Sequence, residues 1–153
     1  MTFGRRFLST AAAGALVMGG LSVILSAGPA NASAANCTNG ANGFTSIAYN
    51  KSGTVETTAD LGGGRRAELH IAWLNGVPHR WARISGATKA GDLVWMDYST
   101  TYGNGWIQCG PFTVQSNGSP NTSAAHKATR EPGEQFRACG RRVDGDSICG
   151  PWL

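Results

Sequence analysis

The chain has 153 residues, of which 14% are charged, with 13 basic and 9 acidic side chains. Arg5 and Arg6 are two of the 13, so the rest of the chain carries 11 basic against 9 acidic groups. That balance is too even for a nucleic-acid or anionic-membrane binder, which shows a clustered excess, and the pairs Arg65-Arg66 and Arg141-Arg142 are short enough to be solvated turns.

In chain order, Arg5 and Arg6 precede an apolar run over 11–25 and the small-residue stretch Ala30-Asn31-Ala32. This is the pattern of a cleaved secretory signal peptide. The run falls short of the roughly 20 apolar residues of a membrane-spanning helix, and Gly14, Gly19 and Gly20 interrupt it. Leu8 and Ser9 fit a twin-arginine signal poorly, so general secretion is expected. The expected organisation is a signal peptide over 1–32 and a single secreted β domain over 33–153. The mature form is expected to be extracellular and monomeric, with no membrane span.

Beyond residue 33 helical periodicity is nearly missing, and short alternating apolar runs recur between Gly, Asn, Asp and Pro clusters. Those are signs of an all-β chain. Weak strands are expected over 44–49 and 54–58. The clearest strand places Ala67, Leu69, Ile71 and Trp73 on one face, with Arg66, Glu68 and His70 on an exposed polar face. Asn75-Gly76-Val77-Pro78 turns the chain and 81–84 runs back. Further strands are expected over 93–98, 106–109 and 112–115, the last two separated by Gly110-Pro111. Residues 116–133 are polar and read as a long loop, with one helical turn around 123–129. A closing hairpin over 135–141 and 147–149 follows. The expected fold is a small single-domain antiparallel β-sandwich or barrel, stabilised by disulfides.

All four cysteines, Cys37, Cys109, Cys139 and Cys149, lie in the part expected to be exported, so two disulfides are the default. No metal is expected, because the nearest pair, Cys139 and Cys149, lacks zinc-ligand spacing and a nearby His. Four cysteines allow three pairings, which sequence leaves open. The expected arrangement joins Cys139 to Cys149 across a Gly-Asp-rich turn and Cys37 to Cys109.

The run AELHIAWLNGVPHRWARISGATKAGD, together with FRACGRR and the terminal CGPWL, resembles the YjfA-like family of small secreted bacterial proteins of unknown function. The residues that carry the likeness are Glu68, Leu69, His70, Trp81, Ala82, Arg83, Ile84, Gly91, Asp92, Cys139, Cys149 and Trp152. The resemblance implies export and a β fold with a late Cys hairpin, and it implies no activity. A second, local likeness lies in Ser99-Thr100-Thr101-Tyr102-Gly103-Asn104-Gly105-Trp106, which is similar to the Asp-box hairpin with Thr101 in place of Asp. It implies a side-chain-capped turn with Trp106 tucked into the core.

Catalytic machinery is hard to find. No nucleophile elbow occurs, and His70, His79 and His126 have no metal-ligand spacing. The carboxylate pairs available to a glycosidase are Asp92 with Asp97, Glu131 with Glu134, and Asp144 with Asp146. Turn formation explains Asp92, after Gly91, and Asp144 with Asp146 better, and the latter lack the further ligands of a calcium loop. No catalytic residue, no cofactor and no enzymatic activity are therefore expected.

The five Trp and three Tyr are the strongest signal for binding, because flat aromatic faces bury much area at low rotamer cost. Trp73, Trp81, Trp95 and Trp106 are expected as core filling, with Trp81 stacked against Arg83 along one strand face. Arg83 and Asp92 are expected to be structural too. Tyr98, Tyr102 and Trp152 are expected to be exposed and to form the binding surface. The resulting expectation is a non-enzymatic module that binds an extracellular or cell-envelope glycan or protein. The alternative is a proteinaceous inhibitor of a secreted hydrolase, using the 116–133 loop with Lys127 or Arg130. A small hydrolase is the third reading, and it requires a His and a carboxylate to converge in a cleft.

Overall fold

The computed structural model describes residues 33–153, so the expected signal peptide lies outside the described residues. Two short 3-10 turns, Ala34–Asn36 and Ala41–Gly43, lead into ten strands. These are β1 (Phe44–Thr45), β2 (Thr54–Gly62), β3 (Arg65–Leu74), β4 (Val77–Gly86) and β5 (Leu93–Ser99), then β6 (Ile107–Thr113), β7 (Asn121–Thr122), β8 (Ala125–Lys127), β9 (Gln135–Arg141) and β10 (Ser147–Cys149). They form two antiparallel sheets. The larger has the order β1-β8-β4-β3-β2 with β7 also on β4, and the smaller has the order β10-β9-β5-β6. The expected all-β, disulfide-bonded fold is what the chain adopts.

Period-two patterning builds the core. Ala67 and Leu69 of β3, and Ala82 and Ile84 of β4, point inward from the larger sheet, and Val94 and Met96 of β5 with Phe136 and Ala138 of β9 point inward from the smaller. The β3–β4 hairpin turns on Asn75 and Gly76 at φ 50° and 77°, the left-handed pair a two-residue turn requires. Cys37 is bonded to Cys109, and Cys139 to Cys149, so the expected pairing is the observed one. The first bond anchors the N-terminal segment to β6, and the second joins register partners on β9 and β10.

Several local expectations are corrected. Segment 116–133 is neither one loop nor helical at 123–129. Its β7 and β8 pair with the edge of β4, which satisfies backbone groups that would otherwise be left open. Gly110-Pro111 does not interrupt a strand, since β6 runs through it with a cis peptide bond. β2 is longer than expected, whereas only 44–45 of the expected 44–49 strand pairs.

The rest of that segment, 46–53, lies over the outward face of the larger sheet. Thr122 Oγ1 donates to Ala48 O at 3.2 Å, Trp81 Nε1 donates to Lys51 O at 3.3 Å, and Gly53 N donates to His70 Nδ1 at 3.0 Å. This strap explains why His70, expected to be exposed, is buried. Trp73 is corrected in the opposite sense. It sits beside the hairpin turn opposite Pro78, past the packed core, and is 73% exposed.

Candidate functional site

Three regions hold the candidate residues. The first is the outward face of the smaller sheet. Asp97 on β5 is the register partner of Arg137 on β9, and its Oδ2 accepts from Arg137 Nε at 2.8 Å with Nη2 at 2.7 Å. The guanidinium carbon lies 4.9 Å from the Trp106 ring centre and 4.4 Å from that of Trp152, and the two rings meet edge to face at 6.0 Å. Trp106 is thus not the core residue expected. It is 40% exposed and packs on Arg137, outside the sandwich.

The Asp-box-like turn itself forms as expected. Ser99 Oγ accepts from Thr101 N and Gly103 N and donates to Gly105 O, and Thr101 Oγ1 donates to Asn104 O. Trp95, buried, faces the same side opposite Cys139. Asp97 Oδ2 lies 3.6 Å from Cys139 Sγ, while Asp97 Oδ1 is buried with no hydrogen-bond partner among the described residues. Burial raises the Asp97 pKa above the ordinary carboxylate value, and the hydrogen bond and charge of Arg137 only partly oppose it. Asp97, Cys139 and Cys149 bring their ligand atoms within 4.8 Å of one another, but sulfurs bonded to each other offer no thiolate to a metal.

The expected binding trio does not assemble. Tyr98 has the opposite parity to Asp97 and packs inward, stacked on His126 at 3.9 Å and near Phe136 at 5.1 Å. Burial, with the nearby charge of Glu134, holds its phenol above the ordinary tyrosine value. Tyr102 is 69% exposed on the turn, and Trp152 is half-buried against Arg137. A cleft of about 300 Å³ runs beneath the turn, bordered by Tyr98, Thr101, Asn104 and Trp106, but Tyr102 is not part of its wall.

The second region is the polar cluster under the strap. Glu68 Oε2 accepts from Ser85 Oγ at 3.0 Å and lies 3.3 Å from His70 Nε2, with Arg83 Nη1 at 3.9 Å. Trp81 is fully buried here and stacks on His70, not on Arg83 as expected. Burial pushes the Glu68 pKa up, but hydrogen bonds from His70 and Ser85, with the charges of His70 and Arg66, outweigh it and leave the group below its ordinary value. A His and a carboxylate therefore do converge, which is half of the condition set for a hydrolase, the other half being a cleft. They do so beneath the strap, and neither residue lines the cleft under the turn or the three depressions along the strap.

Asp92 and Glu134 serve the backbone. Asp92 accepts from Lys89 N and Val143 N and sits 2.8 Å from Arg65 Nε, and Glu134 accepts from Thr129 N and Arg130 N. His79 and His126 are buried, each with Nδ1 on a backbone carbonyl oxygen.

The third region was not anticipated. Three adjoining depressions follow the strap. One, of about 490 Å³, lies between Ser46, Ile47, Lys51 and Trp73. It shares Ser46 and Ile47 with a second, of about 150 Å³, which in turn shares Tyr49 and Asn121 with a third, of about 240 Å³. Tyr49 is 60% exposed. Among the described residues that line these depressions, Lys51 alone is charged, and the polar lining is hydroxyl and amide. The available sequence signals were Trp73 lying two residues before an Asn-Gly turn, and Tyr49 heading a run of loop-forming residues.

The chain matches no family model, no curated protein and no solved structure. The likeness to the YjfA-like family rests on the residues quoted for it.

Proposed function

We propose that this is a small secreted, non-enzymatic module that binds a neutral glycan of the extracellular space or cell envelope along the strap. The observation that carries the reading is the run of depressions with two exposed aromatics, Trp73 and Tyr49, and a single charge, Lys51. Sugar rings lay their C–H faces on flat aromatics, and their hydroxyls pair with neutral amides and alcohols. Two disulfides favour an oxidising compartment, which accords with secretion. The test is co-sedimentation of the oxidised protein with insoluble cell-wall polysaccharide. Wild type is expected to sediment, Trp73→Ala and Tyr49→Ala to lose about tenfold in affinity, and Tyr102→Ala to bind as wild type. Unchanged binding by Trp73→Ala would overturn the placement, and no sedimentation would overturn the glycan.

The inhibitor reading has one observation of its own. Glu134 clamps the backbone at Thr129 and Arg130, holding Arg130 at φ 63° on an exposed turn, so little ordering entropy would be lost on docking. Capture of a secreted hydrolase that is lost in Arg130→Ala and retained in Trp73→Ala would favour it.

A further inference from the structure

The Cys139–Cys149 bond differs from an inert structural staple in three ways. It is asymmetric, since Cys139 is fully buried whereas Cys149 lies on β10, whose residues are all exposed. A buried carboxyl, Asp97, holds Oδ2, the oxygen that also accepts from Arg137, 3.6 Å from the sulfur of the buried partner, and its Oδ1 has no hydrogen-bond partner among the described residues. Finally, the strand pair does not depend on the bond. Gly150 N donates to Ala138 O, Phe136 and Leu153 exchange both backbone hydrogen bonds, and Trp152 packs on Arg137. The two sulfurs would therefore stay in register after the bond opened.

We propose that Cys139–Cys149 is an exchangeable disulfide, attacked at Cys149 by a low-molecular-mass thiol while Asp97 protonates the departing sulfur of Cys139. The incoming thiolate forms a bond to Cys149 Sγ, and the Cys149–Cys139 bond breaks with its electron pair on Cys139 Sγ. The carboxylic proton of Asp97 moves to that sulfur from Oδ2, the oxygen 3.6 Å away, and leaves a carboxylate paired with Arg137. A second thiolate displaces Cys149, which takes a proton from solvent. In sum, two thiols are oxidised to one disulfide and the protein disulfide is reduced to two thiols. Attack goes to the accessible sulfur, and departure is easier when the leaving sulfur is neutralised as it forms. Without the proton, a new thiolate would face a carboxylate across 3.6 Å in a buried site.

Reversal uses the same groups, with the Asp97 carboxylate taking the proton from Cys139. The charged group facing Asp97 is Arg137 on β9, and its other neighbours there, the Cys139 and Cys149 sulfurs, carry no charge in the oxidised form. Cys37–Cys109, with both residues fully buried, has its sulfurs against the backbone oxygens of Ala34 and Ala124 and no carboxyl in hydrogen-bond reach among the described residues, and is expected to stay closed.

The test treats the folded, oxidised protein with 2-mercaptoethanol across a pH series, quenches with N-ethylmaleimide and maps the adducts by mass spectrometry. The expected product carries mercaptoethanol on Cys149 and a free thiol on Cys139, with Cys37–Cys109 intact and the β-sheet circular dichroism unchanged. Divided by thiolate concentration, the wild-type rate should fall as pH rises through the Asp97 titration. Asp97→Asn should give a flat profile, about tenfold or more slower at the acid end. Arg137→Gln, which leaves the carboxyl without its counter-charge, should move the wild-type break to higher pH. The adduct on Cys139, opening of both disulfides together, or a flat wild-type profile would each overturn the proposal. The last three readouts need no variant, so a poorly folding Asp97→Asn does not protect it.

Discussion

Asp92 and Asp97 are both buried aspartates beside an arginine, yet they are finished differently. Asp92 gives each oxygen a backbone N–H, from Lys89 and Val143, and adds the Arg65 guanidinium at 2.8 Å. Asp97 turns Oδ2 to both Arg137 and a disulfide sulfur, and leaves Oδ1 without a partner among the described residues. Buried polar groups are normally satisfied, so a fully used carboxylate reads as a fastening and a half-used one as a group kept for chemistry. A similar contrast separates the two outward-facing tryptophan clusters. Trp81, stacked on His70, is closed over by the strap, whereas Arg137 with Trp106 and Trp152 meets solvent.

The largest expected effect comes from breaking the fastening. Asp92→Ala strands Arg65 and two backbone donors in a buried site, and should cost about 3 to 5 kcal/mol in urea unfolding of the mature protein. A loss below about 1 kcal/mol would mean that the loops meeting at Asp92 are held by something else.

Next come the disulfides. Removing Cys37–Cys109, which closes a separation of 72 residues, should cost about 4 kcal/mol, and removing Cys139–Cys149, with a separation of 10, about 3 kcal/mol, if the unfolded chain's entropy dominates. Paired Cys→Ala variants compared by denaturant midpoint check the order. An inverted order would show that the late hairpin depends on its bond, against the independence argued from its backbone pairing.

The sequence carried the sheets better than the surfaces. Alternation over 67–73 and 135–141 was readable because inward residues recur with period two wherever one face is packed. It failed for the outward face of β3, where Glu68 and His70 look solvated by pattern but are covered by a strap with no periodicity of its own. Trp73 and Trp81 show the same limit. Both stand in strands with apolar neighbours, and which one is exposed depends on where a distant segment crosses. The pairing of Asp97 with Arg137 depends on strand register, which local pattern does not supply.

The smallest effect tests the comparison most closely, because it concerns the sign of a pH dependence. The folded pKa of Asp97 is raised, so its contribution to stability is full below the unfolded aspartate pKa and is lost as pH rises through the folded value. The folded pKa of Glu68 is lowered, so its contribution is full above the unfolded glutamate value and is lost as pH falls through the folded one. Relative to Asp97→Asn, wild type should therefore lose ground as pH rises from the ordinary aspartate value through the higher folded one. Relative to Glu68→Gln, it should lose ground only as the solution becomes more acid. Denaturant midpoints of the three proteins across that range give both differences. Parallel slopes would place Asp97 beside Glu68 as an ordinary paired carboxylate, and would remove the reason to see in its free oxygen anything but a packing defect.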